Sequence, residues 1–442
     1  MFMATQVSAQ SNPLQTCSAA QVTATQRWWY FGSGGILDFG VNGNNPVVLP
    51  SSGINTAEGS IVVSDSGGNL LFWVGGRTGG SIHIYHKNGV IMDNGGGITA
   101  NVSASQTLAS FGAIGIPGKY FVISTTGDAT VPAAGSLYYS VVDMRANGGL
   151  GRVASKNVLL IADAASEAVA AIPNATGTGF WVLTFNKTNA NVTAIPFADI
   201  GPGPAVTTTL TTQNGESDGA IAVSPDLSRI AMVSGNTPQN LARLLEFNAP
   251  TGVFTEKAQW TTGATGGVYT NRGTAYGADF SPDGQYLYVT HAYTNPQGGG
   301  LWRYNLGTET SSAIQGSEEY IRTLGTTLNS SGAIRRGPDG RMYIASDPAT
   351  SAISVIAMPN ASNVANINST LDSLLLGSGT ASAWGLPQMV AGCPVIQAAP
   401  MNVQQVPVGN IWTYISLGGV MTLVATLGLR THRTSNIRLP FP

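Results

Sequence analysis

The side chains of this 442-residue chain that could do chemistry are few and far apart. There are four histidines, His83, His86, His291 and His432. His83 and His86 stand three apart on an alternating stretch, so a strand would send them to opposite faces, a poor arrangement for a shared metal. His291 follows a strand-like run by itself. Neither Cys17 nor Cys393 has a His/Asp pair nearby in sequence, which argues against a thiol nucleophile. Gly32-Ser-Gly-Gly35 and Gly298-Gly-Gly300 are glycine-rich but sit in hairpins, with no helix behind them to cradle a phosphate. No Gly-x-Ser-x-Gly elbow stands out. Glu318-Glu319, beside Tyr320, reads as a solvated loop.

The remaining carboxylates fall in a pattern. Asp65, Asp226, Asp283 and Asp339 recur at turns, and repetition at equivalent positions points to turn chemistry rather than to calcium binding or glycosidic acid–base work. No catalytic, cofactor or metal set emerges, so the residues alone predict a protein that is not an enzyme and needs no cofactor.

The turns lead to the elements. Ser281-Pro-Asp-Gly284 precedes Gln-Tyr-Leu-Tyr-Val-Thr, Gly337-Pro-Asp-Gly340 precedes Arg-Met-Tyr-Ile-Ala-Ser, and Ser224-Pro-Asp-Leu227 precedes Ser-Arg-Ile-Ala-Met-Val. Proline presets the first turn torsion at Pro225, Pro282 and Pro338. The following Asp226, Asp283 and Asp339 can bond their own backbone, and Gly284 and Gly340 accept positive φ. The prolines are 57 and 56 residues apart. Weaker copies at Pro173, Pro117-Gly118 and Asp65-Ser-Gly-Gly68 carry the series backwards. A period of that length carried by hairpins is the mark of a β-propeller. Inner strands are expected at 58–64, 109–116, 167–172, 218–224, 275–280 and 331–336, small and apolar where they crowd a channel. A seventh, at Trp384–Val390, has no blade after it, and the aromatic strands of 27–50 have no blade of their own. Pairing them closes the ring and removes its exposed edges. Trp28, Trp29, Tyr30 and Phe31 then read as core packing rather than a sugar platform. The prediction is all-β: about seven four-stranded blades closed by N-terminal strands, plus one C-terminal hydrophobic helix.

Charged residues are 10% of the chain, net charge is −2, and glycine numbers 56. An ordinary globular chain is about a quarter charged. Such a surface suits an extracellular or assembly-forming protein, and the absence of a basic cluster in the main body gives nucleic-acid binding no support. Cys17 and Cys393 flank the repeats, so ring closure would let them pair, removing roughly 5 kcal/mol of unfolded-chain entropy. Two free thiols are the other reading.

The segments divide as follows: 1–26, with a small-residue Val7-Ser8-Ala9 cleavage pattern; the propeller, 27–395; a linker, 396–410; a hydrophobic helix, 411–430; and a basic tail, 431–442. Ile411–Leu429 holds nineteen residues without a charge. At about 1.5 Å per residue they would cross a hydrocarbon core. Trp412 and Tyr414 would lie in the interfacial belt, and Arg430 and Arg433 on the inner side.

Two resemblances add to this. Trp29-Tyr-Phe-Gly, Gly35-Ile-Leu-Asp-Phe39, the segment Gly59–Phe72, Tyr139–Val153, Lys156-Asn-Val-Leu-Leu160 and Gly385-Leu-Pro-Gln-Met389 resemble the WD-repeat-like propeller at the N-terminal end of bacterial cell-surface and adhesin-like proteins. The apolar run with its closing arginines resembles C-terminal sorting tails read by exosortase-type systems. The resemblance implies surface display with no catalytic residues. The expectation is therefore an exported, non-catalytic structural or adhesive propeller, self-assembling into a homo-oligomer, filament or coat, with the tail engaging membrane or sorting machinery. The alternative is a ligand-binding (glycan) or enzymatic propeller acting at the channel mouth.

Overall fold

The computed structural model describes residues 24–388, apart from 41–44, 52, 54, 77–79, 129–132, 213–218, 236–239, 264–272, 293–298, 325–330 and 347–349. Within them the chain is a β-propeller of seven blades. Blade 1 is Ser60–Ser64, Leu70–Gly75 and His83–His86. Blade 2 is Leu108–Gly112, Lys119–Thr125, Gly135–Asp143 and Arg152–Ala165. Blade 3 is Ala170–Pro173, Phe180–Phe185 and Asn191–Ala198, with Gly201–Pro202 and Val206–Thr209 both pairing outside it. Blade 4 is Gly219–Val223, Arg229–Ser234, Leu241–Asn248 and Val253–Thr261. Blade 5 is Thr274–Phe280, Tyr286–Ala292, Gly299–Asn305 and Glu319–Leu324. Blade 6 is Ile334–Arg336, Met342–Ile344, Ala352–Ile356 and Ser369–Leu375. Blade 7 comes from the front of the chain: Trp28–Phe31, Gly35–Asp38 and Val47–Val48.

The repeated turns show why these residues form hairpins. In blade 5 the Ser281 Oγ donates to Asp283 Oδ1 (2.6 Å), which also accepts the Gln285 amide (3.0 Å), while Gly284 sits at φ +73°. Pro282 fixes the torsion between them. Blade 4 repeats the geometry, with Ser224 Oγ on Asp226 Oδ1 (2.5 Å) and Pro225 between. Leu227 there holds φ +63° where the others use glycine. Its side chain is buried in the seam between blades 3 and 4, which offsets a strained backbone. In blade 6, Gly340 takes φ +79° after Pro338, and Asp339 accepts from Arg341 (2.7 Å) and from the Tyr343 hydroxyl (2.7 Å).

Apolar clusters join each blade to the next. They join blades 1 and 2, 2 and 3, 3 and 4, 4 and 5, and 5 and 6. The circle is closed by blade 7, whose alternating strand splits its side chains between two neighbours. Trp29 and Phe31 pack on Tyr343, Ile353 and Val355 of blade 6, while Trp28 and Tyr30 pack on Val62 and Trp73 of blade 1. Trp29 is fully buried.

One expectation needs correction. Of the expected Trp384–Val390 strand, the described part, 384–388, is not the inner strand of the closing blade. The Ala333 amide of blade 6 bonds the Trp384 carbonyl (2.7 Å), and three residues later Pro387–Gln388 pairs in parallel with Ser60–Ile61 of blade 1. The segment thus spans the place of a seventh inner strand, tied to blade 7 by paired Ser33–Ala381 bonds (2.8 and 3.0 Å). The crossing demands glycine: a Cβ on Gly385 would lie 1.7 Å from the Glu58 carbonyl oxygen, and one on Gly332 lies 2.1 Å from that of Trp384.

Cys17, Cys393, Trp412, Tyr414, Arg430 and Arg433 lie outside the described residues, as does His432. Among the described residues no helix is long and apolar enough to cross a membrane.

Candidate site in the central channel

The inner strand of a blade has one unpaired edge, and it faces the channel. Its peptide groups need partners. Side chains reaching across the ring supply them. Gln106, just before blade 2, accepts the Ile221 amide of blade 4 (2.7 Å) and donates to the Ile221 carbonyl (3.3 Å). Gln388 Nε2 donates to Val169 O at the start of blade 3 (2.6 Å). Arg336 of blade 6 donates through Nη2 to Val223 O of blade 4 (2.7 Å). Ser105 Oγ donates to Gly219 O (2.5 Å).

Ionisable groups gather in the same space. Glu58 leads into the inner strand of blade 1 and Tyr276 lies on that of blade 5. The Tyr276 hydroxyl donates to Glu58 Oε2 at 2.6 Å, and Ser103 Oγ donates to Oε1 at 3.1 Å. The tyrosine packs on the Trp384 ring, 5.2 Å between centroids. Glu58 is 7% exposed. On the inner strands of blades 5 and 6, Asp279 binds Arg336 twice, through Nε (3.1 Å) and through the amide (2.8 Å), and also accepts the Phe280 amide (2.8 Å). Arg335 stands beside them, 8% exposed. Among the described residues its guanidinium makes one hydrogen bond, from Nη1 to the carbonyl of Ile334, its own neighbour in the chain (3.0 Å). Burial pushes the Arg335 guanidinium below its ordinary value. Asp279 pulls it back up, Arg336 pushes it down, and Tyr276 pulls it up.

This grouping was not read from the sequence. The Asp turns join inner strands to their neighbours, and none of the bonds described for them involves a channel group. His83 and His86 each accept a nearby loop amide at Nδ1 (3.1 Å for both). His291 is buried with Nε2 on Thr262 Oγ1 (2.9 Å). Glu319 pairs with Arg303, and Glu318 accepts the Tyr304 hydroxyl (2.7 Å). Among the described residues no three His, Cys, Asp or Glu side chains could hold a metal. The signal that could have found the channel set lies in register. Counting back from each turn, Arg335 and Asp279 fall on the position that blade 4 fills with Ala222. Charges there break a small apolar series.

No family model matches the chain, and no curated protein does. Solved structures do. The periplasmic gluconolactonase of Pseudomonas aeruginosa superposes with a TM-score of 0.52 at 14% identity, covering 83% of this chain and 99% of that one. A putative 6-phosphogluconolactonase from Bacteroides fragilis gives 0.48 at 11% identity, covering 82% and 98%. A Lactobacillus plantarum protein gives 0.49 at 12%, also covering 82% and 98%. At these identities the likeness is one of fold, a seven-bladed propeller.

The expectation of a non-catalytic structural or adhesive component is corrected here, and with it the expectation that the protein is not an enzyme. The Pseudomonas propeller it superposes on carries the name of a gluconolactonase, in place of the WD-repeat-like adhesins that the sequence resembles. That name favours the alternative expectation, a ligand-binding (glycan) or enzymatic propeller acting at the channel mouth, over the structural one.

Proposed function

We propose that the protein is an exported hydrolase acting in the propeller channel on a small carbohydrate-derived lactone or ester. The observation that carries this is the buried Glu58–Tyr276 pair, a carboxylate and a phenol brought together from blades 1 and 5. A carboxylate held this way can take a proton from water. Water then adds to the acyl carbon, the acyl C–O bond breaks, and the proton passes from Glu58 to the departing alkoxide, leaving a hydroxy acid. Tyr276 and Ser103 fix the carboxylate and stabilise its charged form. The name of the Pseudomonas protein supports the reaction class. Low charge and the Val7-Ser8-Ala9 pattern support export.

The test is a pH-stat screen of purified full-length protein against aldonolactones and acylated sugars. Acceleration above the uncatalysed rate, lost in Glu58→Gln, is expected. A folded protein that accelerates none of them overturns the reading.

A further inference from the structure

We propose that Arg335 is the anchor of a small carboxylate ligand inside the channel. The inference rests on the channel reading for its location and goes beyond it in fixing the charge of what binds there.

A buried guanidinium without a countercharge is costly, because desolvation is not repaid. The other buried arginines of this protein illustrate the usual solution. Arg243 is paired with Glu256 (2.6 Å) and also donates to Gln259 and Thr212. Arg303 is paired with Glu319 and donates to the carbonyls of Ala361 and Ser362. Arg335 departs from that pattern. Among the described residues its guanidinium has one acceptor, the Ile334 carbonyl. The neighbouring carboxylate, Asp279, is already committed to Arg336 and to two backbone amides. The remaining N–H donors of a rigid fork have no acceptor among the described residues, on an inner strand bordering the channel.

The charge count selects the ligand. Arg335 and Arg336 against Asp279 leave one net positive charge, which a monoanion neutralises. That positive charge is local: Glu58, held by Tyr276 and Ser103, brings the channel set as a whole to neutrality, and a phosphate dianion would overshoot the charge at Arg335. A carboxylate also matches the planar fork, which offers parallel N–H bonds to two oxygens. A hydroxy acid with one carboxylate, or a lactone that itself carries one, fits both the anchor and the proposed chemistry.

The experiment is thermal unfolding of the full chain in sodium gluconate, sodium phosphate or sodium chloride at constant ionic strength. The wild type is compared with Arg335→Met and Arg335→Lys. Gluconate is expected to raise Tm saturably in the wild type. Arg335→Met should keep the basal Tm or exceed it and lose the gluconate response, and Arg335→Lys should retain it with affinity lowered about tenfold or more. Equal responses in wild type and Arg335→Met overturn the inference, as does a response to phosphate alone or to no anion. A low basal Tm in Arg335→Met with no gluconate effect in the wild type assigns Arg335 to the framework and also overturns it. Turnover of an uncharged lactone reports on the Glu58 reading separately, since that reaction does not need the anchor.

Discussion

Ring closure through the 384–388 crossing can be tested at one atom. In Gly385→Ala the added methyl would lie 1.7 Å from the Glu58 carbonyl oxygen and 2.2 Å from its carbon. Both are backbone atoms, so no rotamer change relieves the clash, and one of the two segments must move by more than 1 Å on the order of ordinary van der Waals contact. Overpacking of this kind typically costs about 1–3 kcal/mol, and a backbone obstacle belongs at the upper end. Alanine recovers about 0.4–1 kcal/mol through the unfolded chain where the native conformation suits it. The net expectation is a loss of about 2–3 kcal/mol. With an unfolding entropy of about 2.1 cal/mol/K per residue over roughly 370 residues, each kcal/mol moves Tm by about 1.3 °C, so Tm should fall by about 3–4 °C. Gly316→Ala is the control. Its Cβ would meet nothing within 4 Å, and it should be neutral or slightly stabilising. Calorimetry on both variants reads the difference. A Gly385→Ala protein melting within 1 °C of wild type would refute the crossing.

Other perturbations test other parts of the ring. Trp29→Ala removes a fully buried side chain from the seam between blades 7 and 6 and should cost about 3–5 kcal/mol by denaturant titration; a loss below about 1 would show that blade 7 does not seal the ring. Arg243→Ala strands Glu256 and should cost about 3 kcal/mol, while Arg243→Met with Glu256→Gln should recover much of it; equal losses would contradict the pairing. Burial pushes the Asp226 carboxyl up, but the Ser224 and Ser228 hydroxyls, the Ser228 amide and Arg229 outweigh it and hold it below its ordinary value. Its contribution is therefore complete above the unfolded value of about 3.9 and is lost as pH falls through the lower folded one. The stability gap between wild type and Asp226→Asn should be present at pH 6 and shrink toward pH 2; a gap independent of pH would contradict this.

The architecture was legible because its signals are local. A Pro-Asp-Gly turn followed by an alternating strand specifies a hairpin without knowledge of the rest of the chain, and spacing did the counting. Closure by the aromatic strands of 27–50 was legible because two incomplete ends had one economical solution. The path of residues 381–388 was not legible. A Gly-Leu-Pro-Gln stretch reads as strand, and only the tight ring shows that Gly385 must cross the Glu58 backbone. The channel groups were hidden for a similar reason. Glu58 and Tyr276 are 218 residues apart, and no motif links them. Tyr276-Gly-Ala-Asp-Phe280 passed as an apolar inner strand, and Arg335-Arg336 as the end of another, 331–336. Their meaning lies in facing one enclosed space, a property of the closed circle rather than of any window of sequence. The resemblance to surface adhesins misled on function because it was carried by segments that build blades.

The most direct test of the channel as the seat of chemistry is the turnover number of Glu58→Gln on the best lactone found, measured beside its Tm. Replacing a general base should lower kcat by about 100-fold or more with Tm held close to wild type. Unchanged turnover in a folded Glu58→Gln protein would contradict the account and leave the propeller standing without its proposed site.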